Sequence, residues 1–136
     1  MRTAPLLRVA SVVSLLFAAG HTMGARKDWS PIGESDVLRA MRTFRFDAMG
    51  VSRTYLDFYL GLAFTVSVFL LLQSVLLWQM ATLAKTEPRQ VRPMIGSLAI
   101  AALACALLAW RFIFPVPAVF SLVLAFCLSL AFFFPS

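Results

Sequence analysis

An acidic residue, Asp57, stands at the mouth of a long apolar run, in the segment RTYLDFYLG that covers residues 53–61. A carboxylate so close to hydrocarbon costs free energy unless a partner neutralises its charge. Arg53 lies one helical turn before Asp57 and offers such a partner. Tyr55 and Tyr59 add phenolic hydroxyls, which donate and accept hydrogen bonds. The segment therefore predicts either a structural ion pair or a site that transfers protons and binds polar groups.

Two residues from elsewhere in the chain extend this candidate site. His21 is the single histidine, and its imidazole can exchange a proton near neutral pH. Arg111 adds a second guanidinium. The candidate polar site comprises His21, Arg53, Tyr55, Asp57, Tyr59 and Arg111. These side chains suffice for acid–base chemistry on a lipid-like substrate, and they suffice equally to hold helices together.

Four apolar stretches must position these residues. Of the 136 residues, 61% are hydrophobic and 13% charged, and the charged residues cluster between long apolar runs. A helix needs about 17 to 25 apolar residues to cross a bilayer, and the ranges of about 6–23, 55–83, 94–110 and 117–134 meet this need. The sequence predicts an all-α membrane protein with a single integral membrane domain over residues 1–136. We expect a four-helix transmembrane bundle with a short interfacial amphipathic helix between spans 1 and 2.

The first span also resembles a secretory signal, because a basic start precedes a run rich in Val, Leu and Ala. We expect the span to be retained, since no small-x-small cleavage site precedes a polar segment and the run continues through Gly20-His21-Thr22. Cleavage is the alternative, and it would leave three spans and remove His21.

Chain direction predicts where the candidate residues meet. Span 1 ends, span 2 begins, span 3 ends and span 4 begins on the same side of the membrane. The candidate polar site would therefore gather at one membrane face, beside the loop of about 24–54. Basic residues flank both ends of the spans, so the positive-inside bias does not fix the orientation.

In that loop, Ser35 is suited to cap a short helix that has Asp36 in its first turn. Its apolar side would comprise Val37, Leu38, Met41 and Phe44, opposite Arg39, Arg42 and Arg45. Such a helix would anchor at lipid headgroups or cover the polar end of the bundle as a lid.

The second span is expected to begin just after the chain turns at Gly50, with Ser52 as its cap. A helix that starts there would carry Arg53 and Asp57 on one face. The polar residues near its middle are Thr65, Ser67, Gln73 and Ser74, and their spacing disperses them around the helix.

Small residues recur at intervals of about four in three of the spans. The stripes are Ser14, Ala18 and Thr22 in span 1, with Ser11 and His21 on the same face, Ser97, Ala101, Cys105 and Ala109 in span 3, and Ser121, Ala125 and Ser129 in span 4. In lipid, such stripes let helix backbones approach closely. We expect tight packing along these faces. A ligand groove is the alternative, and an oligomer through spans 3 and 4 is a further option.

Several chemistries find no support in the sequence. Cys105 and Cys127 are isolated, so no dithiol motif is present, and one histidine without a carboxylate cluster does not predict a metal site or a cofactor. The net charge of +6 is typical of membrane topology and lipid headgroups rather than of nucleic-acid binding. The expected partners are membrane lipids, a lipid-like small molecule, a second copy or other subunits of a membrane complex.

The chain resembles a group of small, functionally uncharacterised bacterial four-span membrane proteins. The resemblance rests on Gly20-His21-Thr22 at the end of span 1 and on Met49-Gly50, Arg53-Thr54-Tyr55 and Asp57-Phe58-Tyr59 around the start of span 2. It implies a bacterial inner-membrane location and no particular activity. We therefore expect a membrane-embedded binding or complex subunit with a polar site at one membrane face; a small membrane enzyme and a transporter component are the alternatives.

Overall fold

Four long helices, one short helix and a β-hairpin make up the chain in the computed structural model, which describes residues 3–26, 30 and 32–134. The helices are α1 (Thr3–Ala25), α2 (Asp36–Thr43), α3 (Tyr55–Leu83), α4 (Pro88–Phe112) and α5 (Pro115–Phe133). The strands are β1 (Arg45–Ala48) and β2 (Val51–Thr54). Helices α1, α3, α4 and α5 are long and apolar enough to cross a membrane. The predicted all-α fold, with four spans and a short helix between the first two, is confirmed.

By its contacts the chain divides into two compact units. The four-helix unit consists of Met1–Phe17 and Leu70–Ser136, and the hairpin unit consists of Ala18–Phe69. Helices α1 and α3 each run through both units. The four-helix unit thus contains the first part of α1, the second part of α3 and all of α4 and α5. The hairpin unit contains the end of α1, α2, both strands and the start of α3.

All four spanning helices contribute to the core of the four-helix unit. Leu7, Leu77, Ile95 and Leu128, one from each helix, are almost completely buried. Alanines fill most of the remaining space, which lets the helix backbones approach closely without a large hydrophobic driving force. The predicted face of α5 is confirmed in Ser121 and Ala125, which are buried, and Ser129 is half-buried.

The predicted small-residue face of α4 is mostly exposed in the single chain, and its packing in an oligomer stays a prediction. Ser97, Ala101 and Cys105 are exposed, and only Ala109 of that stripe is buried. The buried face comprises Val91, Ile95, Ala99, Ala102, Ala106 and Ala109. Alanine occurs on several sides of this helix, so small size alone does not identify the side that packs.

Proline explains two of the helix starts that differ from the prediction. Helix α4 begins at Pro88 rather than at residue 94, and α5 begins at Pro115 rather than at 117. Proline is favoured at the first helical position because its missing N–H has no partner to lose there. Helix α1 is also longer than expected at both ends, whereas the bounds of α3 match the apolar run predicted over 55–83.

The hairpin between α2 and α3 was not predicted. Strands β1 and β2 are antiparallel, with Ala48 opposite Val51 and a two-residue turn between them. The turn residues Met49 and Gly50 have φ of 56° and 83°, which defines a type I′ turn suited to the twist of a hairpin. Asp47 Oδ1 accepts a hydrogen bond from the Gly50 N–H at 2.7 Å and closes the turn.

The short helix α2 is confirmed, with a narrower apolar side than expected. Ser35 Oγ accepts a hydrogen bond from the Leu38 N–H at 3.2 Å, as its predicted capping role requires. Leu38 is buried and Met41 is half-buried, whereas Val37 and Phe44 are exposed. The helix ends at Thr43. Arg45, which was predicted on its basic side, belongs to β1 instead.

Candidate functional site at the start of α3

The predicted site centres on the first turn of α3, where Asp57 forms a reciprocal cap with Thr54. Asp57 Oδ2 accepts from the Thr54 N–H at 2.8 Å, and Thr54 Oγ1 accepts from the Asp57 N–H at 3.1 Å. This capping box satisfies two backbone donors that a helix N-terminus otherwise leaves unpaired. The aspartate also lies at the positive end of the helix dipole. The sequence contains this signal, a threonine followed three residues later by an acid, yet it points to Thr54 and not to Ser52.

Arg53 does not share a helical face with Asp57, so that prediction is wrong. Arg53 belongs to β2, directly opposite Phe46, and Ser52 lies in the same strand opposite Asp47. The Arg53 guanidinium donates to the Ser52 carbonyl at 3.0 Å. Within the described part of the chain, no carboxylate lies within salt-bridge distance of it. The strand therefore replaces the helical turn that would have paired these two charges.

Tyr55 joins an aromatic cluster that attaches the hairpin to α3. Its ring lies 5.9 Å from that of Phe44 and 4.8 Å from that of Phe46, measured between centroids. Phe46 also contacts Phe58, at 5.5 Å. We call these four residues, Phe44, Phe46, Tyr55 and Phe58, the aromatic cluster. Tyr59 lies one turn beyond Tyr55 and is exposed.

His21 contacts α3 far from its first turn. Its Nδ1 lies 3.0 Å from Ser67 Oγ, and Ser67 in turn donates to the Ala63 carbonyl at 3.4 Å. Ser67 follows Asp57 by ten positions of one continuous helix, which is about 15 Å along the axis. The predicted gathering of His21 with Asp57 at one level is therefore wrong, because α1 ends at Ala25, before it reaches the first turns of α3.

No family model, curated protein or solved structure matches this chain. The resemblance to small bacterial four-span membrane proteins stays a prediction.

Arg111 lies near the end of α4, in the four-helix unit. Its guanidinium stacks over the ring of the adjacent Phe112 at 5.2 Å from the centroid. The other five candidate residues belong to the hairpin unit. A common role for all six stays a prediction.

A buried serine cluster in the four-helix unit was not predicted. Ser11 Oγ donates to the Ser74 carbonyl at 2.7 Å, and Ser74 Oγ donates to the Ser11 carbonyl at 2.9 Å. One turn along, Ser14 Oγ donates to the Leu70 carbonyl at 2.9 Å and lies 3.2 Å from Gln73 Oε1. The face of small residues on α1 was predicted. The polar residues of α3 that contact it were instead predicted to be dispersed around their helix. Ser67 and Ser74 are in fact two turns apart, and both bond to α1 residues.

The surface of the hairpin unit carries exposed apolar and cationic side chains together. Met49 is fully exposed at the hairpin tip, and Val51 and Phe44 are also exposed. Arg45 and Arg53 project from the same hairpin and, within the described residues, form no salt bridge. Such a combination is suited to contact with another molecule rather than to internal packing.

Proposed function

We propose that this protein is a multi-pass subunit of a bacterial inner membrane that binds a partner protein through its hairpin. The proposal rests on the exposure and the backbone conformation of Met49. Its side chain is 104% exposed relative to a reference residue, and its backbone has φ 56°. A non-glycine residue in the left-handed region costs about 1 to 2 kcal/mol, and no internal contact of this fully exposed side chain offsets that cost.

The exposed side chains of the hairpin indicate what kind of surface a partner would present. Met49 and Val51 offer an unbranched and a branched apolar side chain next to the turn, and methionine adapts well to irregular apolar surfaces. Arg53 lies on the same face of the hairpin as Val51, and Arg45 lies on the opposite face, so each face carries one guanidinium group. A fitting partner presents an apolar patch with carboxylates at its rim, because Arg binds carboxylates with two parallel hydrogen bonds.

The positions of the ionisable groups favour binding over catalysis. In the capping box, Asp57 Oδ2 is already bonded to the Thr54 N–H. A general base must reach the proton that it abstracts, and this carboxylate is oriented toward its own backbone instead. The other candidate base, His21, contacts Ser67, about 15 Å along α3 from Asp57, so the two groups do not act on one proton together.

The hydroxyls inside the spans likewise favour assembly over transport. A transporter places its polar groups along a path to the midplane. Here Ser11 and Ser74 bond to each other's carbonyls, and Thr65 Oγ1 donates to the Gly61 carbonyl of its own helix. Groups that are satisfied in this way are suited to holding helices together.

The proposal is tested by measuring the mass of the complex extracted from native membranes in mild detergent. We expect the Met49→Asn variant to run at the mass of the chain alone, whereas the unchanged chain runs as a larger assembly of fixed stoichiometry. Asparagine tolerates the left-handed backbone, so the variant should melt at the same temperature or higher. The mass of the assembly distinguishes a second copy from a different subunit.

The matched control is Ile32→Asn, which removes an exposed apolar side chain of the hairpin unit outside the hairpin itself. Ile32 is 78% exposed, so its replacement should preserve both folding and the assembly. An assembly that withstands Met49→Asn, or that is lost equally in both variants, would contradict the proposal.

A further inference from the structure

A shallow groove between α1 and α3 is lined only by residues of the four-helix unit and includes no residue of the hairpin. It encloses about 350 Å³ and is walled by Leu15, Leu71 and Val75, with Trp78 and Gln79 toward one end. Leu71 and Gln79 are eight positions apart on one helix, which makes the groove about 12 Å long. One leaflet of a bilayer contributes about 15 Å of hydrocarbon. The groove therefore has the length of the part of one acyl chain that lies within a leaflet.

The floor of the groove is formed by polar side chains whose hydroxyl groups already have hydrogen-bond partners. Ser11 and Ser74 line it, and their hydroxyls are bonded to each other's carbonyls at 2.7 and 2.9 Å. These donors need no water or ligand, so an acyl chain can cover them without leaving an unpaired polar group. The groove thus favours an apolar occupant along its length.

A cation stands at the end of the groove. The Arg8 guanidinium lies 5.1 Å from the centroid of the Trp78 ring, a cation–π contact that fixes its position. Among the described residues, no carboxylate lies within salt-bridge distance of Arg8. Gln79 is exposed beside Trp78 and can donate from its amide. An apolar groove that ends in an unneutralised guanidinium, a tryptophan and an amide complements a lipid with an anionic headgroup.

We propose that this groove binds one anionic phospholipid, with an acyl chain along Leu15, Leu71 and Val75 and the phosphate at Arg8. The charge of the guanidinium makes the site selective for an anionic over a zwitterionic headgroup. One such contact near a membrane surface corresponds to about a fivefold preference. The preference weakens as salt is raised, because the Arg8 side chain is exposed.

The test uses the fluorescence of Trp78 in the full chain, with Trp29 and Trp110 replaced by Phe so that one indole reports. The chain is placed in bilayers that contain small fractions of brominated phosphatidylglycerol or brominated phosphatidylcholine, since bromine on an acyl chain quenches a neighbouring indole. We expect the phosphatidylglycerol to reach half-maximal quenching at about one fifth of the fraction that phosphatidylcholine requires. Equal quenching curves for the two lipids would overturn the proposal.

Three substitutions locate the effect. Arg8→Gln should abolish the preference, whereas Arg92→Gln should keep it; Arg92 makes the same kind of contact, with Phe132 at 4.9 Å, away from the groove. Equal losses in these two variants would show that overall charge recruits the lipid, and the proposal would fail.

Val75→Phe narrows the groove at a lipid-facing position and should reduce quenching by both lipids at an unchanged melting temperature. Full quenching in that variant would also contradict the proposal.

Discussion

Thr54 and Asp57 exchange two hydrogen bonds across the first turn of α3, and this relationship accounts for an acid at the edge of an apolar helix. Each residue supplies a side-chain acceptor to the backbone N–H of the other, at 2.8 and 3.1 Å. The strand β2 ends at Thr54, so the capping box also marks the point where the hairpin passes directly into the span. Asp57 therefore stabilises the junction between an extended strand and a transmembrane helix.

Removal of either member of this box should weaken the junction. Thr54 is 5% exposed, and Thr54→Ala should lower the free energy of unfolding by about 1 kcal/mol. Asp57→Asn should have a smaller effect than Asp57→Ala, because the carboxamide oxygen can still accept from the Thr54 N–H. Thermal unfolding in one detergent compares the variants. Equal melting temperatures for Asp57→Asn and Asp57→Ala would show that the cap does not hold this turn.

Two glycines of the hairpin unit should respond to alanine with opposite signs. Gly50 has φ 83°, so Gly50→Ala should destabilise the hairpin by about 1 to 2 kcal/mol. Gly61 lies within α3, where an added methyl group would meet no atom of a neighbouring described residue, and Gly61→Ala should stabilise by about 0.5 to 1 kcal/mol. Both are read from denaturation midpoints of the full chain. Equal shifts in the same direction would contradict the type I′ turn.

The serine pair of the four-helix unit should behave as a coupled unit. Ser11 and Ser74 each donate to the carbonyl of the other, so the double-mutant cycle of Ser11→Ala and Ser74→Ala should give a coupling of about 0.6 kcal/mol, and at most about 1.7. Ser97 is the control, because it donates to the Pro93 carbonyl of its own helix and is exposed. A cycle of Ser97→Ala with Ser74→Ala should give no coupling. Additive losses at Ser11 and Ser74 would show that the pair contributes no joint stabilisation.

The four spans could be predicted from their length and hydropathy. The turn and the helix cap between spans 1 and 2 could not, because more than one local structure fits those residues. Four apolar runs with few charges have one structural solution in a membrane, so the helices followed from composition. The hairpin did not, because its turn begins with Met49 where asparagine or aspartate gives the usual signal. Asp57 was paired with Arg53 because Ser52 and Thr54 can each cap a helix, and only the pairing of β2 with β1 places Ser52 and Arg53 in a strand. His21 was placed at the wrong level because the length of α1 relative to α3 is not encoded in a local motif.

The orientation of α4 allows a test with two adjacent alanines. Ala101 is exposed and Ala102 is 4% exposed, although the four-residue repeat of small residues predicted Ala101 on the packing face. Ala102→Leu should therefore overpack the core and destabilise the chain by about 1 to 3 kcal/mol, whereas Ala101→Leu should change stability little. Thermal unfolding in detergent measures both with the same added volume and the same helix propensity. If Ala101→Leu were the more damaging substitution at the level of the isolated chain, the buried face of α4 would be the one that the repeat indicates. If it instead left the melting temperature unchanged but reduced the mass of a native assembly, Ala101 would lie at a contact between subunits, because small exposed faces in lipid are suited to helix association.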